Sequence, residues 1–236
     1  MIYIYRRGAS ISARLLAQAV EGKRVRTVAR LQKFLSKQPG LVVCWGGHLD
    51  GALNGNAPIR NKFTDAVLLN EAKVPTIVCT TKPYPINWSE INWSEEWLPR
   101  TFNHAGGNDL LVPQRQVDFF SKLENLVREY RVHWFNGRSL RAGQKVPRDR
   151  VKQHPWIRSW DGGWKISYDG FSSSKKMRKL ARKACEALEL DFGAVDIGET
   201  DTGKLIVLEV NRAPGLEGNT ITAYANAIKE YANENS

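Results

Sequence analysis

The stretch "DFGAVDIGETDTGKLIVLEVNRAPG", residues 191–215, restricts what this chain can fold into more than any other segment. Two apolar runs, one around Ala194-Val195 and one from Leu205 to Leu208, are joined by "GETDTGK", whose Asp201-Thr202-Gly203 supplies turn chemistry. That pattern predicts an antiparallel hairpin. A carboxylate interrupts each run, Asp196 in the first and Glu209 in the second, and Asn211 follows two residues on. Side chains two apart on a strand share a face, so Glu209 and Asn211 are expected on one side and Leu208 and Val210 on the other. Asp196, on the partner strand, can lie opposite Glu209.

Two carboxylates held close in a partly buried place repel each other and lose hydration, so one must be protonated or a cation must sit between them. Two carboxylates with an amide as third oxygen donor suit Mg²⁺, which keeps several waters and shares its remaining positions with substrate phosphates. The competing reading is the polar outer face of an edge hairpin, with Asp196 and Glu209 simply in water. The "RAPG" that follows reads as a tight functional turn and favours the first.

The flanking chain alternates strand and helix. "MIYIY" is β-prone, "SARLLAQAVEG" carries helical spacing, "VRTVARLQKFLSKQPG" reads as a short strand and a helix stopped by Pro39-Gly40, and "LVVCWGG" is an apolar strand closed by glycines. "KFTDAVLLNEAKVPTIV" predicts a helix ending near Lys73 and a strand after Pro75. In "EYRVHWFNGRSLRAGQKV" the central Asn136-Gly137 marks a two-strand hairpin, because both residues accept positive φ at low cost. "RDRVKQHPWIRSWDGGWKISYDG" predicts a loop and one strand; "SSSKKMRKLARKACEALEL" a serine-capped helix with a solvated basic face; "NTITAYANAIKEYANE" a closing amphipathic helix. The rhythm breaks where "INWSE" at 86–90 is repeated directly at 91–95, a tandem copy with no physical account from sequence.

The charge balance of 35 Lys and Arg against 24 Asp and Glu, a formal +11, favours anionic partners such as nucleotides, polyphosphate or nucleic acid. No stretch of about 18 apolar residues is present, which argues against a membrane partner. The first residues also lack the apolar core and cleavage site of a secretory signal, so the expected compartment is the cytoplasm. Cys44, Cys79 and Cys185 sit in apolar runs without metal-ligand spacing and read as reduced, buried thiols.

On these residues the chain resembles the ATP-grasp enzymes, in which an Asp on one strand and a Glu-x-Asn on the next hold the magnesium ions of bound ATP; here the matching positions are Asp196, Glu209 and Asn211. The nearest resemblance is to small RimK-like and glutathione-synthetase-like ligases, including forms carried by phages, whose host cell would then supply the cytoplasm. The resemblance implies an α/β (α+β) fold with an antiparallel sheet: a small α/β domain over residues 1–80, then a nucleotide-binding and catalytic domain over 81–236 with a reduced lid at about 81–113. It implies ATP and Mg²⁺, with Mn²⁺ able to substitute. It further implies nucleotide contacts from Lys62 at a helix start, Arg100 in place of the usual lysine, the loop with His104, Gly106 and Gly107, and Gln114 in the adenine hinge "VPQRQVDF", with Asn211 beside the metal. Arg131 and Lys145 would point into the cleft as catalytic cations, and Glu129, Arg131 and His133 share one strand face. Arg212 is a catalytic and substrate-side candidate, able to pair with an acceptor carboxylate, and Asn219 and Thr220 are further substrate-side candidates.

The activity implied is a carboxylate–amine ligase that forms an amide or peptide-like bond through an acylphosphate, releasing ADP and phosphate. Two alternatives differ in class. One is an ATP-grasp kinase that phosphorylates a hydroxyl and stops there. The other is a basic nucleic-acid binder, suggested by cations interleaved with Trp156, Trp160 and Trp164, which leaves Asp196, Glu209 and Asn211 without a purpose. A ligase whose acceptor is a nucleic acid or an acidic protein tail would combine the two, and the acid and amine themselves are unnamed.

Overall fold

In a computed structural model, residues 1–81, 97–102, 117–154 and 157–235 are described. The expectations placed on His104, Gly106, Gly107, Gln114, Trp156 and the tandem "INWSE" copies lie outside them.

The chain begins as a parallel three-stranded sheet of β1 (Ile2–Tyr5), β2 (Lys23–Val25) and β3 (Leu41–Cys44), in the order β2-β1-β3. α1 (Ile11–Ala19) starts where the Ser10 hydroxyl accepts from Ala13 N, and α2 (Val28–Leu35) where Thr27 accepts from Arg30 N. Each cap satisfies one otherwise orphaned N–H. The two crossovers lie on opposite faces: Ile4 packs with Leu16 of α1, while Tyr3 and Tyr5 pack with Leu31 of α2. α3 (Lys62–Glu71) is capped by Asn61 and ends beside Ala72. The strand expected after Pro75 is split. Thr76 makes a single bridge to Val207, and β4 (Cys79–Thr80) forms only further on, because the chain there leaves one sheet for another.

The second sheet has five antiparallel strands: β7 (Leu126–Phe135), β8 (Arg138–Pro147), β9 (Trp164–Ser167), β10 (Phe192–Thr200) and β11 (Leu205–Asn211), in the order β11-β10-β7-β8-β9. β7 and β8 turn at Asn136 (φ 36°) and Gly137 (φ 87°), the positive-φ pair that matches strand twist. A third, small sheet sets β6 (Phe119–Lys122) between β4 and β5 (Trp97–Arg100). α4 (Lys175–Ala187) covers one face of the five-stranded sheet, burying Met177, Leu180, Ala181 and Ala184. α5 (Asn219–Glu234) packs against α1 and β8.

Apolar burial ties these parts together. Ala57, Leu69 and Val74 share a core with Val132, Ala181, Val195 and Val207, and Ile4, Leu16 and Trp45 share another with Phe135, Phe192, Tyr224 and Ile228. Trp45 stacks on Phe192 at 5.2 Å and meets the edge of Tyr224 at 5.5 Å. Each Val, Leu, Ile or Phe among them contributes about 1.5–3 kcal/mol by leaving water, so both cores cross residue 80 with substantial energy. The first 80 residues and the remainder are thereby held in one fixed relation, with α5 as the clasp.

The hairpin of β10 and β11 carries the one feature that alternation misassigns. Asp196 pairs with Glu209 as expected, but Ile197 pairs with Val207, leaving Leu208 as an extra residue in a bulge. Val207 is therefore fully buried, and Leu208 lines the same cavity as Glu209 instead of the opposite face. All three cysteines are free; Cys44 and Cys185 are buried and Cys79 is half-buried.

Candidate active site

The uncovered face of the five-stranded sheet, the small sheet and the start of α3 enclose a cavity of about 1120 Å³. Among the described residues it is lined by eight Lys or Arg and five Asp or Glu side chains, so its field is positive and suited to a polyanion. Its apolar part includes Ile77, Leu98, Leu126 and Leu208. Gly198 belongs to this wall by omission, since a Cβ there would stand 2.8 Å from Leu126 and 3.2 Å from Leu208.

Three of these five carboxylates, Asp196, Glu129 and Glu209, are each held by a cation. Arg131 on β7 lies directly across from Asp196 on β10, and its Nε and Nη2 donate to Oδ1 and Oδ2 at 2.6 and 2.7 Å, with Asp196 only 2% exposed. This is the bidentate fork that arginine makes and lysine cannot. Lys145 on β8 donates to Glu129 Oε2 at 2.8 Å and stands 3.7 Å from Asp196 Oδ2, while Arg158 Nε is 3.7 Å from Glu129 Oε1. Lys62, the first residue of α3, reaches Glu209 Oε2 at 2.5 Å, and Asn211 Nδ2 donates to Glu209 Oε1 at 2.8 Å. Burial by itself would raise the Glu209 carboxyl; Lys62, then Asn211 and Arg131, outweigh it and hold it at about 2. Burial likewise disfavours charge on Arg131 and Lys145, but Asp196 beside the first, and Asp196 with Glu129 beside the second, raise both above their ordinary values. Glu209, Arg131 and Lys145 are therefore charged at neutral pH.

The donor set meets the requirements of a magnesium ion shared with phosphates. Asp196 and Glu209 are cross-strand neighbours, and each carboxylate oxygen carries a second lone pair beside the donor it already accepts from. Asn211 gives its amide N–H to Glu209, which leaves its carbonyl oxygen as a ligand atom. Among the described residues no three or more His, Cys, Asp or Glu side chains are placed to hold a metal ion by themselves, so waters and phosphates would have to complete the shell. Mg²⁺ is characteristically held by one or two carboxylates with waters and substrate phosphates filling the rest.

Behind Arg131 lies a buried network that sequence inspection did not assemble. Tyr224 Oη donates to Gly193 O at 3.2 Å, so it accepts from His133 Nδ1 at 3.3 Å, and His133 Nε2 then accepts from Tyr168 Oη at 2.9 Å. Burial, with Arg131 and Arg141 nearby, pushes the His133 imidazole down to about 3, against a partial pull from Asp196. Arg141 lies over the Tyr168 ring at 4.1 Å and donates to Thr220 Oγ1 at 3.1 Å. The signal for Arg141 was present in "RAGQK": Arg141, Gly143 and Lys145 alternate onto one face. Tyr168 had no local signal.

Among the other expected site residues, Arg100 and Asn219 line the cavity, whereas Thr220 is buried at the start of α5 and touches the site through Arg141 and Tyr168. Arg212 does not line the cavity. Its Nη1 donates to Gly47 O and Ala57 O, each at 3.4 Å, which ties the end of β11 to the segments after β3 and before α3.

The model of a protein family described as an ATP-grasp domain, the third family of its clade, matches residues 95–230, more than half of the chain. No curated protein sequence matches. Solved structures similar to the chain include the ATP-grasp ligase PsnB complexed with minimal precursor, at 12% identity over 97% of this chain and 98% of that one, TM-score 0.65. Also similar are the macrocyclase MdnC bound with precursor peptide MdnA from Microcystis aeruginosa MRC (11%, 100% and 100%, TM-score 0.61) and D-alanine–D-alanine ligase from Bacillus anthracis complexed with ATP (13%, 99% and 97%, TM-score 0.62). At such identities the likeness is one of fold: a mixed α+β ATP-grasp fold with an antiparallel sheet.

Proposed function

From the premise that this chain belongs to that family of ATP-grasp domains, we propose that it is an ATP-dependent carboxylate–amine ligase of the small RimK-like or glutathione-synthetase-like kind, acting in the cytoplasm. The observation that carries the reading is the cross-strand pair Asp196 and Glu209, lining a cation-rich cavity with room for a nucleotide, with Asn211 hydrogen-bonded to Glu209. Among the described residues no helix is long and apolar enough to cross a membrane.

Mg²⁺-ATP, when bound, supplies the transferable phosphoryl group and the charge that neutralises it. Asp196, Glu209 and Asn211 would hold the metal, and Mn²⁺, another oxygen-preferring ion, could substitute. Lys62 and Arg100 would contact phosphate oxygens. Arg131 and Lys145, fixed by their carboxylate partners, would present positive charge where the equatorial oxygens of the phosphoryl group gain negative charge, as phosphoryl transfer requires. A substrate carboxylate would displace ADP to give an acylphosphate; an amine would then displace phosphate and lose a proton, leaving an amide. Asn219 and Arg141, which also line the cavity, are the candidate groups for orienting those substrates. Arg212 serves this reading as a brace for the Asn211 strand.

The test is thermal stability with and without Mg²⁺-ATP in the wild type, Glu209→Ala and Asp196→Asn, since a ligand that binds only the native state raises the melting temperature. A rise in the wild type that is lost in folded variants is the expected result, followed by ADP release with candidate acids and amines. No rise at any ATP concentration overturns the ligase reading.

A further inference from the structure

In the parallel sheet β2-β1-β3 the chain leaves β1 toward β2 and crosses back to β3, so the exits of β1 and β3 flank a topological switch point, the usual ligand crevice of such sheets. Arg6, directly after β1, lies in that crevice with Nη1 donating to Gly46 O at 2.5 Å and Trp45 O at 3.3 Å. Arg24 on β2 is pinned by Nη2 to Gly8 O at 2.6 Å. Both are half-buried, and the Nε of each is a buried donor with no acceptor; with Trp45 Nε1 they are the only such side-chain atoms among the described residues. What this end of the sheet lacks is an acceptor. Arg14 and Arg26, both exposed, crowd Arg24 with like charge, and Arg7 follows Arg6 in the chain. Among the described residues none of these five arginines is ion-paired to a carboxylate, and neither α1 nor α2 has an acidic residue in its first turn. Clustered guanidinium groups without counter-charge repel one another, a cost that a bound anion removes.

This crevice touches the catalytic cavity through one loop. A Cβ on Gly46, which has φ +77°, would stand 2.5 Å from Ala213 Cβ and 2.6 Å from Arg6 Nη1, so only glycine lets the three meet. Leu216 N donates to Ser12 Oγ of α1 at 3.0 Å, while Gly215, Glu217 and Gly218 of the same loop line the cavity.

We propose that Arg6, Arg24, Arg14 and Arg26 form a binding site for a substrate carrying two or more closely spaced anionic groups, phosphate or carboxylate, held beside the loop 212–218 so that the rest of the molecule enters the cavity. Arginine suits this class, since its planar fork pairs with both kinds of oxyanion. That the anion is a ligase substrate rests on the ligase reading; the anion site itself does not.

Isothermal titration of the full chain with tripolyphosphate and, separately, tricarballylate tests it, alongside Arg24→Gln, Arg26→Gln and the Mg²⁺-ATP thermal shift of all three proteins. Arg26 is exposed, so its variant folds even if Arg24→Gln does not. The expected result is binding of at least one probe by the wild type, weakened about tenfold or more per arginine removed, as for a lost charge-assisted bond. The thermal shift stays as in the wild type. Preference for tripolyphosphate assigns the anion as phosphate, and for tricarballylate as carboxylate. Equal affinity in all three proteins, or no binding in the wild type, overturns the site; with the thermal shift intact, it leaves the ligase reading standing. Arginine-dependent binding without any Mg²⁺-ATP shift removes the ligase reading and keeps the site.

Discussion

Lys62 and Glu209 are 147 positions apart and meet at 2.5 Å, so the helix that ends the first α/β segment delivers a cation to a carboxylate on the last strand. The pair is about one-third and one-quarter exposed, between the regimes in which ion pairs are worth nothing and in which breaking one is ruinous. Lys62→Met should therefore cost about 1–2 kcal/mol at neutral pH, judged from surface and buried pairs. Glu209 is depressed from 4.5 to about 2, so its contribution is fully present above pH 4.5 and lost as pH falls toward 2. Acid titration of unfolding should show the wild type and Lys62→Met converging in that window. A constant gap down to the lowest pH would mean that the pair does not govern it.

Arg131 and Asp196 are the more deeply buried pair, at 19% and 3% side-chain exposure. Removing one partner strands the other, which for buried pairs costs about 3–5 kcal/mol. Arg131→Met should fall at the lower end, because Lys145 at 3.7 Å remains to face Asp196. Denaturant unfolding of Arg131→Met, Lys145→Met and the double variant checks this: the double loss should exceed the sum of the single losses. Additivity would show that Lys145 gives Asp196 no support.

His133 makes a pH prediction of its own. Its imidazole is held at about 3 against an ordinary 6.5, so between those values the unfolded chain binds a proton that the folded protein refuses. Stability should rise with pH across the window, by up to about 1.4 kcal/mol per pH unit from this one group. His133→Gln, which keeps a donor and an acceptor for Tyr168 and Tyr224, should show a shallower dependence of melting temperature on pH. Parallel curves for wild type and variant would remove His133 as the cause.

Much of this architecture could be read locally. The Asn136-Gly137 turn, the Ser174 cap and the hairpin that sets Asp196 against Glu209 each depend on residues within a few positions, where turn chemistry and alternation act. The Leu208 bulge could not, because a one-residue insertion leaves no mark in an all-apolar run "LIVL". Nor could the meeting of His133 with Tyr168, since β8 and β9 are joined through a long loop whose closure follows from packing. Arg212 has the chemistry of a substrate ligand in the sequence, and in the structure its Nη1 turns to the carbonyls of Gly47 and Ala57. Which carbonyls lie within reach is decided by tertiary structure alone.

Gly143 links the strand pairing to this network. It lies across from Arg131 on β8, and a Cβ there would stand 2.6 Å from Ser167 O, a backbone atom, and 2.9 Å from Tyr168 Cδ1. Backbone cannot swing aside as a flexible side chain does, so Gly143→Ala must displace β9 and with it the Tyr168 hydroxyl from His133. Overpacking of this kind costs about 1–3 kcal/mol. The sharper consequence is chemical: with Tyr168 moved, Arg141 loses the ring it lies on, and Arg131 loses the packed layer behind it. The Mg²⁺-ATP thermal shift of Gly143→Ala should be weaker than that of the wild type, while Gly137→Ala, at a turn where a Cβ meets nothing within 4 Å, should lose stability through its φ of +87° but keep the shift. Equal shifts in the two variants would separate the tyrosine network from nucleotide binding and leave it a purely structural support of the sheet.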